Sequence, residues 1–391
     1  MRIVLVPSAY APAVGGVEEL TRRLAHHLSA TGHTVEVWTI RHPPELPALD
    51  RIQDVTVRRF TLPLPAAKLG TALQFAPAAV NALRATSRAT RAFSPDVLHV
   101  QCFSANGVYA SALSVLLGVP LVVTLQGETF MDDNDIYERS ASLRLGLRAG
   151  LRRANTVTGC SRFVLDDAVR RFGLAPGAGV VIPNGVEVHS HVPKIPLELP
   201  FKRFVLGLGR AVEKKGFDLL IDAFARLAPN HPEVGLVIGG DGAARPGLAA
   251  RAQSLGLSGR VALPGMLSRG QVAWAMHNAA AFVLPSRVEP FGIVVLEALQ
   301  AERPVIVSAR GGASEIVHNG KEGLVVDPFD CAALAAAITR ILDDAGLGKR
   351  LAEAGRTRVI DFAWEAITER YVEVYDEATK TRQNRRRTIE T

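Results

Sequence analysis

FVLPSRVEPFGIVVLE, residues 282–297, is the stretch from which the chain is best read. A short apolar run, 281–284, is broken by Pro285 and Ser286, and from Ile293 the apolar residues Val294, Leu296, Ala298 and Leu299 recur at helical spacing. The pattern is strand, loop, helix, with carboxylates at Glu289 and Glu297. At Phe291-Gly292-Ile293 a helix would open with unpaired backbone N–H groups and the positive end of its dipole, and both suit a phosphate. Glu289 precedes that anion seat. Glu297 is expected about two helical turns further on, on the same face. A carboxylate can accept hydrogen bonds from neighbouring sugar hydroxyls. The stretch therefore offers a diphosphate seat and a carboxylate for each of two sugars; an ordinary strand–turn–helix with two surface glutamates is the plainer reading.

The chain has 391 residues, 48% hydrophobic and 21% charged, which suits two globular domains of ordinary size. A net charge of +7 fits phosphate-bearing ligands, an anionic membrane surface or nucleic acid without choosing among them. Aromatic residues are only 6%, thin for a single-strand stacking platform, and no nucleic-acid partner is expected. The three cysteines, Cys102, Cys160 and Cys331, form no C-x-x-C pair and read as free thiols of a reducing cytosol. The opening apolar run stops at Pro7, which does not fit a signal peptide, and no run is long enough to span a membrane.

Short apolar, β-branched runs alternate with helix-length segments. Strands are expected at 3–6, 34–40, 55–60, 97–100, 120–125, 156–159 and 180–183, and again at 204–208, 234–239, 261–263, 281–284, 304–307 and 323–326. That alternation predicts a doubly wound parallel α/β sheet, built twice. The proline-rich HVPKIPLELP, 191–200, reads as a linker between a domain at 1–190 and one at 191–363. A final helix from Trp364 to about 380 precedes a basic tail, 381–391, expected to be disordered and solvated, with Arg385, Arg386 and Arg387 as a lesser candidate for membrane or nucleic acid.

Several other segments carry chemistry. Gly15-Gly16 lies between the first strand and first helix and would let backbone approach a ligand, but it lacks the G-x-G-x-x-G of a nicotinamide site. In LGLGRAVEKKGFDLL, 206–220, Arg210 and Lys215 can both reach a departing diphosphate and stabilise its developing charge. Gly239-Gly240-Asp241-Gly242 and Gly265-Met266-Leu267 end strands where backbone groups, with Asp241 and Met266, could hold a nucleotide base. His99 ends the run VLHV and would either face a cleft or sit satisfied in the core. Asp132-Asp133-Asn134-Asp135 reads as a polar loop rather than a metal site, and the histidines show no zinc spacing. Arg144, Arg148 and Arg152 recur beside Leu143, Leu147 and Leu151 on a basic amphipathic helix, and Arg84, Arg88 and Arg91 form a second basic face. Solvation is the default for such faces; contact with anionic lipid or a phosphorylated acceptor is the alternative.

Taken together, GGVEEL near the start, VIPNGVE at 181–187, LGRAVEKKGFDLLIDAF, GGDG, and PSRVEPFGIVVLEALQAERPVIVSARGGASEIV with its E-x7-E pair resemble the family-4 retaining, nucleotide-sugar-dependent glycosyltransferases of the GT-B fold. The resemblance covers nearly the whole chain. It implies two Rossmann-like domains facing across a cleft, with the final helix packing back on the first. It implies a donor set of Gly16, Asn184, Arg210, Lys215, Asp241, Met266, Glu289, Phe291, Gly292, Ile293, Val294 and Glu297. Of these, Arg210 and Lys215 would bind the diphosphate, Glu289 would contact the transferred sugar, and Glu297 would hold the ribose hydroxyls. Catalysis would rest on Glu289, Arg210 and Lys215. An acceptor would meet Gly15, Gly16, His99, Gln126 and Glu128. UDP is expected as the donor base from its frequency in the family. The acceptor would be a glycoside, a lipid-linked sugar or a natural-product core. No cofactor or metal is expected, and the protein would be cytoplasmic; peripheral contact at the inner face of the membrane is the alternative that the basic helices leave open.

One departure stands out. Many members carry a histidine after the strand that here reads VVTLQGE, where this chain has Gln126. Glutamine hydrogen-bonds but is no base near neutral pH. In a front-face retaining reaction the leaving phosphate can itself take the acceptor proton, so Gln126 is compatible with turnover, and Glu128 or the Asp132–Asp135 loop could contribute in its place. A nucleotide-sugar epimerase or phosphorylase on the same plan, and a nucleotide-sugar-binding protein without turnover, remain the alternatives.

Overall fold

The computed structural model describes residues 1–13, 15–64, 69–132, 135–188 and 192–390. Parallel strands covered by helices on both faces must be apolar on both faces, so they read as continuous runs rather than alternating ones. That is why IVLV, VLHV, LVVTL and VGLVIG are almost wholly buried strands. They belong to two compact units, 1–184 with 364–391, and 185–363. The division falls at Asn184 and Ala363, a few residues before the join expected at 190.

The first unit has eight strands: β1 (Arg2–Pro7), β2 (Thr34–Ile40), β3 (Leu49–Ile52), β4 (Val55–Phe60), β5 (Val97–Gln101), β6 (Leu121–Leu125), β7 (Thr156–Gly159) and β8 (Val180–Val181). Their order is β3-β4-β2-β1-β5-β6-β7-β8. All neighbours are parallel except β3 and β4, which pair antiparallel from Leu49–Arg58 to Ile52–Val55. β3 (LDRI) has no apolar run, because an edge strand with a solvated face needs none, and the sequence reading passed over it. The strand expected at 180–183 is only two residues long, since Pro183 donates nothing to a ladder.

The final helix, Trp364–Glu390, belongs to this unit. Trp364, Ile367, Tyr371, Val374, Tyr375 and Ala378 form a buried stripe at helical spacing against helix Gly16–Ala30 and the strands β5 and β6. Trp364 stacks on His27 with ring centroids 6.0 Å apart. The expectation of a disordered tail is corrected: the helix continues through 381–390. ATKTRQNRRRTIE contains neither glycine nor proline and is rich in helix-forming Arg, Lys and Gln, so no residue stops it.

The second unit has six parallel strands: β9 (Arg203–Leu208), β10 (Val234–Gly239), β11 (Val261–Gly265), β12 (Ala281–Leu284), β13 (Val305–Ser308) and β14 (Gly323–Val326). Their order is β11-β10-β9-β12-β13-β14, so the sheet reverses direction between β9 and β12. Helices Phe217–Leu227 and Cys331–Asp343 pack together on it, burying Leu220, Ile221, Phe224, Leu334, Ile338 and Ile341 with the strand residues Val205, Leu236 and Val283. Among the described residues no helix is long and apolar enough to cross a membrane.

Tyr375 is fully buried with its hydroxyl 2.6 Å from His99 Nδ1. Tyr375→Phe keeps the ring but strands a buried histidine nitrogen, which costs about 1–3 kcal/mol. A urea titration following the first unit should show the midpoint fall accordingly; an unchanged midpoint would mean that the hydroxyl contributes nothing.

Candidate active site

In an open α/β sheet, a ligand crevice forms beyond the carboxyl ends of the strands where their order reverses. In the second unit that point lies between β9 and β12, and the two segments leaving these strands are those singled out from the sequence. The turn after β9 carries Gly209 and the exposed Arg210, then a single 3-10 turn, Glu213–Lys215, and helix Phe217–Leu227. The loop after β12 carries Pro285 to Phe291 and enters helix Ile293–Gln300 through Gly292 in the left-handed region, φ 96°. Val295 N of its first turn already donates to the N-cap carbonyl of Gly292 (2.8 Å), so an anion seat there would rest on the N–H groups at the very start of the helix.

Glu289 and Glu297 are not two turns of one helix, as the spacing had suggested. The helix begins at Ile293, so Glu289 stands in the loop before it and Glu297 one turn inside it. The loop places Glu289 through its own backbone. Its N–H donates to Arg310 O (3.2 Å) and its carbonyl accepts from Gly312 N (2.8 Å), forming a bridge to Gly311. Gly311 holds φ 132°, and a Cβ there would lie 2.1 Å from Glu289 O, so only glycine permits the approach. Gly216 plays the same part on the other segment, since a Cβ there would meet Pro285 O at 2.2 Å.

The Glu289 side chain is 6% exposed. Lys215 Nζ (2.7 Å) and Ser286 Oγ (2.8 Å) both donate to its Oε2, and Oε1 has no partner among the described residues. Lys215, expected on a diphosphate, is thus also the counter-ion of the buried carboxylate. A bidentate pair from Arg287 to Asp218 (2.7 and 2.6 Å) clamps the two segments together, reinforced by Arg287 N to Lys214 O (2.9 Å). Burial works to raise the Asp218 carboxyl, but Arg287 overrides it and holds it below the ordinary carboxylate range. Ser286, the Arg287–Asp218 clamp and Gly311 were missed as site residues, although two of them lie inside the 282–297 stretch; their partners are 69 positions away for Arg287, which no local pattern reveals.

The remaining donor candidates lie on the same carboxyl edge or outside it. Asp241 follows β10, is exposed, and accepts from Gly242 N (2.9 Å). Met266 follows β11 and is 78% exposed. Phe291 is buried against Phe362, with ring centroids 6.1 Å apart, while Val294 is half-buried at the start of the helix. Asn184 belongs to the first unit. Its amide pairs reciprocally with that of Gln126, 3.0 Å in each direction.

In the first unit, Gly15 precedes helix Gly16–Ala30 with extended backbone, and Gly16 is exposed with no atom within 4 Å of where a Cβ would stand. Gln126 is half-buried after β6 and also lies 3.4 Å from Gln101 Oε1. Glu128 has both oxygens committed: Oε1 to Phe103 N (2.6 Å) and Oε2 to Gln126 N (2.7 Å). Burial still pushes its carboxyl up, against these backbone bonds. His99 is corrected from an acceptor contact to a core residue. It is wholly buried beside Leu5, with Nδ1 on Tyr375 OH and Nε2 on Thr124 Oγ1, both 2.6 Å, and burial lowers its pKa to about 3. Of the polar loop, Asp133 and Asn134 lie outside the described residues. Asp132 Oδ2 accepts from Ile136 N (2.5 Å). No cluster of three metal-ligating side chains occurs among the described residues.

Residues 15–185 match the family Glycosyl transferase 4-like domain and residues 194–358 the family Glycosyl transferases group 1. The chain belongs to the GT-B glycosyltransferases of the family-4 type, and is a hexosyltransferase by class. Among its relatives, the glycogen synthase of Mycobacterium tuberculosis is 29% identical over 395 residues, covering 96% of this chain and 94% of that protein. Among solved structures, the sucrose-phosphate synthase of Thermosynechococcus elongatus superposes with a TM-score of 0.77 at 24% identity, over 97% of this chain and all of that one. Anabaena Alr3699/HepE in complex with UDP and glucose superposes at 0.74 and 22% identity, over 96% and 99% of the two chains.

Two outcomes test this geometry. Gly311→Ala forces a Cβ onto the Glu289 carbonyl and should lower thermal stability and nucleotide-diphosphate affinity together; a wild-type melting curve with wild-type affinity would show that the bridge is dispensable. The Arg287–Asp218 clamp has a sign in pH. A carboxyl lowered in the folded state stabilises above its unfolded pKa and loses that contribution as pH falls through the folded one. Arg287→Ala should therefore flatten the loss of stability on acidification, from about pH 4, where aspartate ordinarily titrates, downwards; parallel acid profiles would rule the clamp out as a contributor.

Proposed function

We propose that this glycosyltransferase moves a sugar from a nucleoside-diphosphate donor, UDP by preference, to a hydroxyl acceptor with retention at the anomeric carbon. The observation that carries the reading is the buried Glu289, held by Lys215 and Ser286 beside the N-terminus of helix Ile293–Gln300, with no partner for Oε1 among the described residues. That oxygen is the one offered to the hydroxyls of the transferred sugar. The helix N-terminus, Arg210 and Lys215 take the diphosphate and stabilise the charge it gains on leaving. Glu297, half-buried one turn inside the helix, takes the ribose. In the first unit, Gly15 and Gly16 allow backbone approach and Gln126 orients the acceptor without acting as a base. The leaving phosphate receives the acceptor proton, and no metal is required. The binding of UDP and glucose by HepE supports the choice of donor class. The three cysteines, none of them in a disulfide among the described residues, agree with a reducing, cytoplasmic setting. The acceptor is a glycoside, a lipid-linked sugar or a natural-product core.

A second reading, a nucleotide-sugar-binding protein without turnover, is favoured by the Gln126–Asn184 amide pair where relatives of this family carry a histidine. Thermal shifts with UDP, GDP, ADP and dTDP in EDTA, followed by transfer assays, separate the two. A ligand at 100 times its Kd adds about 2.7 kcal/mol. We expect a UDP shift in EDTA and turnover of a UDP-sugar; tight binding with neither transfer nor hydrolysis would establish the second reading, and a shift only with magnesium would refute the metal-free one. Arg210→Ala should lower kcat by about 10²–10³, the usual effect of removing one transition-state donor, while leaving the melting temperature in place; unchanged turnover would remove Arg210 from the phosphate site.

A further inference from the structure

Three neighbouring helices of the first unit, Leu69–Phe93, Ala105–Leu117 and Ala141–Arg153, have no acidic residue anywhere in their sequences. They carry seven arginines: Arg84, Arg88 and Arg91 on the first, and Arg144, Arg148, Arg152 and Arg153 on the third. The formal net charge of the whole chain is +7, so these helices hold all of it and the rest of the protein is balanced. Ala105–Leu117 packs between the other two. The leucine stripe of the third helix, Leu143, Leu147 and Leu151, is buried in the unit, so its amphipathic pattern is satisfied inside the protein.

The outward faces differ from an ordinary solvated surface. Arg84, Arg88, Arg91 and Arg152 are exposed and have no ion pair or hydrogen bond among the described residues. By contrast, Arg203, Arg251, Arg287, Arg310 and Arg356 of the second unit each pair with a carboxylate. Among these cations stand large apolar side chains open to water: Val80 (44% exposed), Val115 (64%), Leu116 (63%) and Leu145 (63%). Arg153 donates to Ser114 O (3.0 Å), which brings the last turns of the second and third helices together. None of the aromatic side chains of these helices is exposed. A nucleic acid would be met by stacking rings and a cationic groove. Aliphatic side chains interspersed with unpaired arginines suit the headgroup boundary of a bilayer, where the one inserts and the other meets phosphate.

We infer that the outer face of these three helices docks the protein on a bilayer rich in anionic lipid. Each arginine near such a surface contributes about five-fold in binding. The full-length protein should sediment with vesicles of phosphatidylglycerol and phosphatidylcholine but not with phosphatidylcholine alone, and less at high salt. Arg84→Gln/Arg88→Gln/Arg152→Gln should weaken that binding about a hundredfold. Leu116→Ser/Leu145→Ser should weaken it several-fold while keeping the salt dependence. All five side chains are exposed, and melting curves of both variants should match the parent. Undiminished binding by the triple variant would place the contact elsewhere and overturn the inference. So would an unchanged Leu116→Ser/Leu145→Ser variant, which would leave only diffuse attraction. Absence of vesicle binding, with retention on an RNA oligonucleotide lost in the triple variant, would assign the face to nucleic acid instead.

Discussion

A carboxylate taken almost completely out of water must be compensated, and the second unit is arranged around that requirement at Glu289. Removing one partner of such a pair costs about 3–5 kcal/mol, because the remaining charge stays buried. The compensation comes from two directions: Lys215 from the turn after β9 and Ser286 from the same loop as the glutamate. Neither donor could reach Oε2 unless the two segments leaving β9 and β12 lay against each other. Gly216 on Pro285, Gly311 on Glu289, and Arg287 on Asp218 make that contact. The strand order supplies the rest, since only where the sheet reverses do two neighbouring strands send their following segments apart and leave a crevice.

This arrangement divides the work within one side chain. The oxygen that faces the protein is saturated, so the carboxylate cannot rotate without breaking a charged and a neutral hydrogen bond at once. The other oxygen has no partner among the described residues, and its direction is fixed by the first. Such preorganisation is what makes a hydrogen-bond acceptor useful on a sugar, because the cost of orienting it has been met by the fold rather than at binding.

How much of this was legible in the sequence depended on whether the partner lay nearby. The parallel strands were readable almost to the residue, because burial on both faces leaves an unbroken apolar run. β3 was not, since LDRI on an antiparallel edge has only one face to bury. The E-x7-E spacing marked the loop and the helix that follow β12, yet not their relation: Gly292 resets the backbone, so the spacing is not helical. Lys215 was read as a phosphate ligand, and its pairing with a carboxylate 74 residues away had no local mark. His99 shows the limit most plainly. A polar residue in a buried strand can face a ligand or a distant helix, and the deciding partner, Tyr375, lies 276 positions on. The tail was misjudged for the opposite reason: its charge suggested solvent, but nothing in it breaks a helix.

One buried network of the first unit is built from uncharged groups. Tyr375, His99, Gln101, Gln126 and Asn184 form a chain of neutral hydrogen bonds running from the final helix to the last residue before the chain leaves the unit. Burial keeps His99 uncharged down to about pH 3, and a glutamine stands at the position where a titrating histidine would otherwise be. The network therefore holds one protonation state throughout the neutral range. The amide pair of Gln126 and Asn184, held by reciprocal hydrogen bonds, can donate and accept but takes up no proton in that range.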